Sequence, residues 1–111
     1  MALALQLLIG VAICALCAVL QILVVLKGIT RFRRSAPAKR LTLTASAVLV
    51  ILFAHIAQIA LWSAVLHPLS GFESFEATLY FAIASYTTLG FGDVLLGDEV
   101  RVLGAMAAVA G

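Results

Sequence analysis

Charge is scarce in this chain. Charged residues make up 11% of its 111 residues, about half the share usual for a soluble domain, while hydrophobic residues make up 65%. A water-soluble core of this size cannot hide so much apolar surface, which excludes an ordinary soluble domain. Acidic residues are scarcest: none precedes Glu73, and the full set is Glu73, Glu76, Asp93, Asp98 and Glu99. Cysteine is limited to Cys14 and Cys17. Their C-x-x-C spacing has no further Cys or His close by to complete a zinc site, so packing is expected of them. No Walker lysine, H-E-x-x-H or paired Cys and His pattern occurs, and neither covalent catalysis, a cofactor nor a nucleic-acid partner is expected.

The charge that is present is segregated. Residues 2–26 carry none, broken only by Gln6, Gln21 and small residues, and at about 1.5 Å per residue they reach across a hydrocarbon core of about 30 Å. No Lys or Arg precedes this run, so the positive segment of a cleaved signal peptide is missing and a retained transmembrane helix is expected over 1–26. A second uncharged run, residues 41–66, carries Trp62 near its end, where an indole suits the membrane interface. Between them, residues 27–40 hold Lys27, Arg31, Arg33, Arg34, Lys39 and Arg40, six of the seven basic residues. The positive-inside rule places this loop in the cytoplasm, and therefore the N-terminus and the end of the second helix outside. Anionic lipid headgroups are a candidate partner for the loop, each cation near such a surface contributing about 1 kcal/mol. The regularly spaced arginines of a voltage sensor are absent from both runs.

The most informative stretch is Thr87-Thr88-Leu89-Gly90-Phe91-Gly92-Asp93. A pore that strips water from a cation must replace the hydration shell with oxygens, and backbone carbonyls form a dense array of them. Successive carbonyls of a strand point to opposite sides. Turning several to one side requires alternation between right- and left-handed backbone, which glycine permits at almost no steric cost. Gly90 and Gly92 fall on alternate residues, as that geometry needs.

These residues resemble the selectivity filter of the potassium channel family, whose usual form is Thr-Val-Gly-Tyr-Gly-Asp. Here Leu89 and Phe91 stand for Val and Tyr; Leu89 keeps an apolar side chain behind the filter, and Phe91 keeps the ring without its hydroxyl. The resemblance covers residues 41–111 and implies an outer helix, a re-entrant pore helix with its filter loop, and an inner helix beginning near Arg101. It also implies a homotetramer, since one filter segment cannot surround an ion. Potassium would be held by the Thr88 hydroxyl and carbonyl and by the carbonyls of Leu89, Gly90 and Phe91. Gly92 and Asp93 would form the outer mouth, Thr87 would end the pore helix, and Tyr80 and Phe81 would buttress the filter. The five acids would form a negative vestibule that concentrates cations, with ordinary solvated loop charge as the lesser alternative.

The expected fold is thus an all-α membrane protein in the plasma membrane: an N-terminal helix, a basic loop over 27–40, an outer helix over 41–66, a pore helix over about 73–87, a filter over 88–92 and a partial inner helix over 100–111. Ser70 or Ser74 is expected to cap the pore helix, whose C-terminal dipole would favour a dehydrated cation. His55 and Gln58 share a helix face with Trp62, and either an interhelical hydrogen bond or pH sensing accounts for them. The stretch 100–111 reaches about 18 Å, short of a crossing; it is either part of a longer natural chain or an inner helix without a conventional gate. Weakly selective cation conduction and a non-conducting subunit remain alternatives to a potassium channel.

Overall fold

Both apolar runs form helices that outlast them. In the computed structural model, which describes residues 1–111, α1 spans Leu3–Arg33 and α2 spans Arg40–Ser70. Each is 31 residues and so about 46 Å long. The expected ends at residues 26, 41 and 66 are corrected outward. Lys and Arg are strong helix formers, and Arg31 and Arg33 in the last turn of α1 suit the negative end of its dipole. The loop expected over 27–40 shrinks to a bend followed by one 3-10 turn at Pro37–Lys39. At the far end, Gly71 stops α2 with a left-handed φ of 70°, a conformation that costs glycine little.

Ser74, not Ser70, caps the next helix. The Ala77 amide donates to Ser74 Oγ at 3.2 Å, and α3 spans Phe75–Tyr86, shorter at both ends than expected. Ser70 belongs to the last turn of α2, where its hydroxyl donates to the His67 carbonyl and accepts from the Phe72 amide. His67 also meets the Thr78 hydroxyl at 3.0 Å, which ties the end of α2 to α3. An extended loop then leads to α4, Arg101–Ala105, and α5, Ala107–Ala110, separated at Met106.

α1 and α2 form an antiparallel hairpin, α3 folds back against α2, and α4 and α5 return against α1 and α3. One core joins all five helices through Ile13, Cys17, Trp62, Tyr86, Leu103 and Ala107. Only 17 of the 111 residues are buried, so this core is thin and most apolar side chains of α1 and α2 face outward, as a bilayer requires. Both long helices are apolar and long enough to cross a membrane. Trp62 is 0% exposed, which corrects its expected interface position. It lies one turn before Leu66, on the face of α2 that the core covers, and its Nε1 finds no hydrogen-bond partner.

α1 is anchored to α4 by a polar contact inside the apolar layer. The Leu103 amide donates to Gln6 Oε1 at 3.1 Å, and Gln6 Nε2 donates to the Met1 carbonyl. Leu103 is in the first turn of α4, which has no side-chain cap of its own, so Gln6 supplies from α1 what an N-cap residue would supply locally. One helical turn on, a Cβ at Gly10 would overlap the Met106 side chain, so glycine permits the close approach. The Cys14 thiol donates to the Met106 carbonyl at 3.6 Å. We expect Gln6→Leu to destabilise the protein by about 1–3 kcal/mol, the cost of leaving a buried amide unpaired. Faster hydrogen exchange at the Leu103 amide would accompany the lowered thermal midpoint; exchange unchanged at that amide would contradict the capping role.

Candidate ion-binding loop

The loop after α3 alternates in handedness. Thr88, Gly90 and Gly92 have φ of 58°, 55° and 74°, while the intervening Leu89 and Phe91 keep negative φ. Glycine adopts such values freely; Thr88, β-branched, does not, and holding it there costs on the order of 1–3 kcal/mol. Its hydroxyl donates to the Thr87 carbonyl at 2.7 Å, a local bond that offsets part of that cost. Alternation of this kind turns successive peptide groups the same way.

Hydrogen bonds show which way the amides turn. The amides of Thr87, Thr88 and Gly90 donate to the carbonyls of Ile83, Ser85 and Ala84 at 3.0, 3.0 and 3.1 Å. The last turn of α3 thus holds the loop by its N–H groups. By contrast, the carbonyls of Thr88, Leu89, Gly90, Phe91 and Gly92 accept no hydrogen bond from the chain, and all five residues are exposed. Exposed and unpaired, this row of carbonyls is free to accept from water or to meet a cation. The carbonyls of Ile83, Ala84 and Ser85 at the C-terminal end of α3 are thus occupied by the amides that follow, and the expected dipole of this helix acts beyond the loop only through its field.

The flanking residues divide. The Tyr80 hydroxyl donates to Asp93 Oδ2 at 2.8 Å, bridging α3 to the far end of the loop. This bond to a carboxylate pushes the Tyr80 phenol above its ordinary pKa; the phenol keeps its proton, and with it the bridge, until pH rises past that elevated value. Phe81 is expected, with Tyr80, to buttress the filter. Its ring packs 6.2 Å from Phe72 and beside Gly104, so it braces α3 against α4. Leu89 is 57% and Phe91 67% exposed; a single chain offers neither a position behind the loop. Asp98 pairs with Arg101 at 3.0 Å and Asp93 accepts from Tyr80, which leaves Glu73, Glu76 and Glu99 as exposed acids with no side-chain partner.

A second feature, at the base of the loop, joins three helices. His55 Nδ1 lies 2.7 Å from the Tyr86 hydroxyl, which donates to Gln58 Oε1 at 2.6 Å. Gln58 Nε2 in turn donates to Gln21 Oε1 at 3.2 Å and the Cys17 carbonyl at 3.5 Å. Because the single hydroxyl proton goes to Gln58, Nδ1 must donate to the Tyr86 oxygen. His55 and Gln58 therefore meet their partner in Tyr86, the residue before Thr87, and α1 is connected to the loop through side chains alone. Sequence reading missed Tyr86, Gln21 and Gln6 as members of polar contacts. The signal was present in the glutamines, since an amide inside an uncharged span is costly unless it finds a partner.

Residues 45–111 match a family described as ion channel. No curated protein and no solved structure matches the chain.

Proposed function

This chain belongs to the ion channel family that residues 45–111 match, and from that premise we propose that it is a passive, potassium-selective channel assembled as a homotetramer. The observation that carries this reading is the row of unpaired carbonyls from Thr88 to Gly92 beside the alternating φ of the same residues. Carbonyls from symmetry-related chains, converging on one axis, replace the water shell of a dehydrated cation. Potassium is the transported ligand, coordinated by Thr88, Leu89, Gly90 and Phe91. In this assembly Leu89 and Phe91, exposed in one chain, are covered by neighbours.

The chain sits in the plasma membrane with its N-terminus and filter mouth outside and the residues around Pro37 in the cytoplasm. Glu73, Glu76 and Glu99 raise the cation concentration at the outer mouth. Potassium flux into vesicles containing the purified protein, measured against sodium flux, tests the proposal; equal absence of both in tetrameric protein would refute it. Phe91 favours a second reading, weak selectivity, because it lacks the hydroxyl that would tie the filter to its surroundings. The reversal potential in mixed potassium and sodium separates the two.

The brace at Tyr80 bears on the same question. With no hydroxyl on Phe91, the Tyr80–Asp93 bond is the side-chain tie found on the outer half of the loop. Tyr80→Phe is expected to lower the potassium-to-sodium permeability ratio several-fold, through the loss of one hydrogen bond to a carboxylate in each chain, without changing helix content. A ratio identical to that of the unsubstituted protein would show that the bond does not shape the filter.

A further inference from the structure

Below the Gln21–Gln58 bond, α1 and α2 flank an open cleft of about 1180 Å³. Its lining is largely apolar, with Leu23 and Val24 from α1 and Ala47, Val50 and Ile51 from α2. Lys27, Arg31 and Arg34 stand on its rim. The hydroxyls nearby are turned inward: Thr30 donates to the Leu26 carbonyl at 2.8 Å and Thr44 to the Arg40 carbonyl at 2.9 Å. They add no outward donors to the trough.

The rim cations have no anionic partner in the chain. Every acid lies between Glu73 and Glu99, and the chain's salt bridge joins Arg101 to Asp98. Arg40 instead lies over the Phe32 ring, 5.5 Å from its centre, which closes the bend beside the cleft and keeps that cation off the trough. An apolar floor beside unpaired guanidinium groups complements an amphiphile with a negative head. Guanidinium groups bind phosphate oxygens in pairs, and an acyl chain fits an apolar trough open to the bilayer.

We propose that this cleft binds one anionic phospholipid, its phosphate held by Lys27, Arg31 and Arg34 and one acyl chain lying between α1 and α2. The inference needs the membrane assignment and is independent of potassium selectivity. Its occupant would sit at the end of the hairpin opposite the one that contacts α3 and α4.

Lipid retention tests it without any flux measurement. The purified chain in detergent is mixed with equal phosphatidylglycerol and phosphatidylcholine, passed through gel filtration, and its bound lipid is measured by mass spectrometry. We expect retention to favour phosphatidylglycerol by about tenfold or more, because three cations attract its net negative head group, whereas the ammonium of phosphatidylcholine cancels the charge of its phosphate. Lys27→Gln, Arg31→Gln and Arg34→Gln together should bring the ratio close to unity with helix content unchanged. Ala47→Trp, which fills the trough and leaves the charge alone, should lower phosphatidylglycerol retention. Soluble glycerophosphate should not displace the lipid. Equal retention of the two lipids by the unsubstituted chain overturns the proposal, even if a variant fails to fold. Displacement by glycerophosphate, or retention indifferent to Ala47→Trp, overturns it in favour of a plain phosphate site. A second copy filling the cleft would show as a larger assembly that excludes lipid, and also overturns it.

Discussion

Gly90→Ala is expected to reduce potassium flux to the level of protein-free vesicles while the protein still inserts and keeps its helix content. No atom outside its chain neighbours lies within 4 Å of a Cβ built at Gly90, so the effect is not a clash. It is conformational: φ at this position is 55°, and an L-residue there costs about 1–2 kcal/mol. In a homotetramer the cost recurs in each chain, reaching about 4–8 kcal/mol around the ring. Relaxing to negative φ removes that cost but turns a carbonyl out of the row, so each route harms conduction. Gly97→Ala is the control, because that position has open space and no left-handed φ. If Gly90→Ala conducts like the unsubstituted protein, the carbonyl row is not the ion pathway.

The second large effect is expected at Gln58. Gln58→Leu deletes the acceptor of the Tyr86 hydroxyl and the donor to Gln21 and Cys17. Hydrogen bonds between helices in membranes contribute about 0.6 kcal/mol on average and up to about 1.7, so a three-bond hub should contribute about 2 kcal/mol. Tyr86→Phe removes the same central bond, and the double variant should cost less than the sum of the two. Unfolding in mixed micelles measures this. Because Tyr86 precedes Thr87 directly, potassium flux should fall as well. Additive costs would show that the two residues do not act through a shared bond.

His55 behaves differently in the same network. With Nδ1 donating to Tyr86, the neutral ring and the imidazolium both keep the bond. Protonation therefore leaves the contact in place, and pH sensing through it is not expected. The pH profile of flux should be the same for His55→Phe and the unsubstituted chain, although the variant should be less stable by the loss of the hydrogen bond to Tyr86. A profile that flattens in His55→Phe would restore the sensing reading.

Much of the fold was legible because a bilayer asks simple things of a chain. Residues 2–26 and 41–66 had to be helices, since in hydrocarbon every backbone group must be paired within its own segment. Their ends were not legible: Arg31, Arg33 and Arg40 continue helices that the apolar count stops short of, because helix propensity does not follow hydropathy. The choice of Ser74 over Ser70 turned on where α2 stops, which Gly71 decides. Trp62 was misplaced for a simple reason. A ring's surroundings depend on which helix packs over it, and pattern within a single helix does not record that.

The alternation of Gly90 and Gly92 dictated left-handed backbone at those two positions, because local sterics leave few residues able to take positive φ, whereas the positive φ of the β-branched Thr88 was decided by the fold. Membrane residence followed from composition with equal directness. Which side chains hold the loop in place was set only by packing. Gln6 reaches Leu103 and Tyr86 reaches His55 and Gln58 across wide separations in sequence, and polar groups with so few partners in an apolar layer are satisfied by whatever the assembled helices bring within reach.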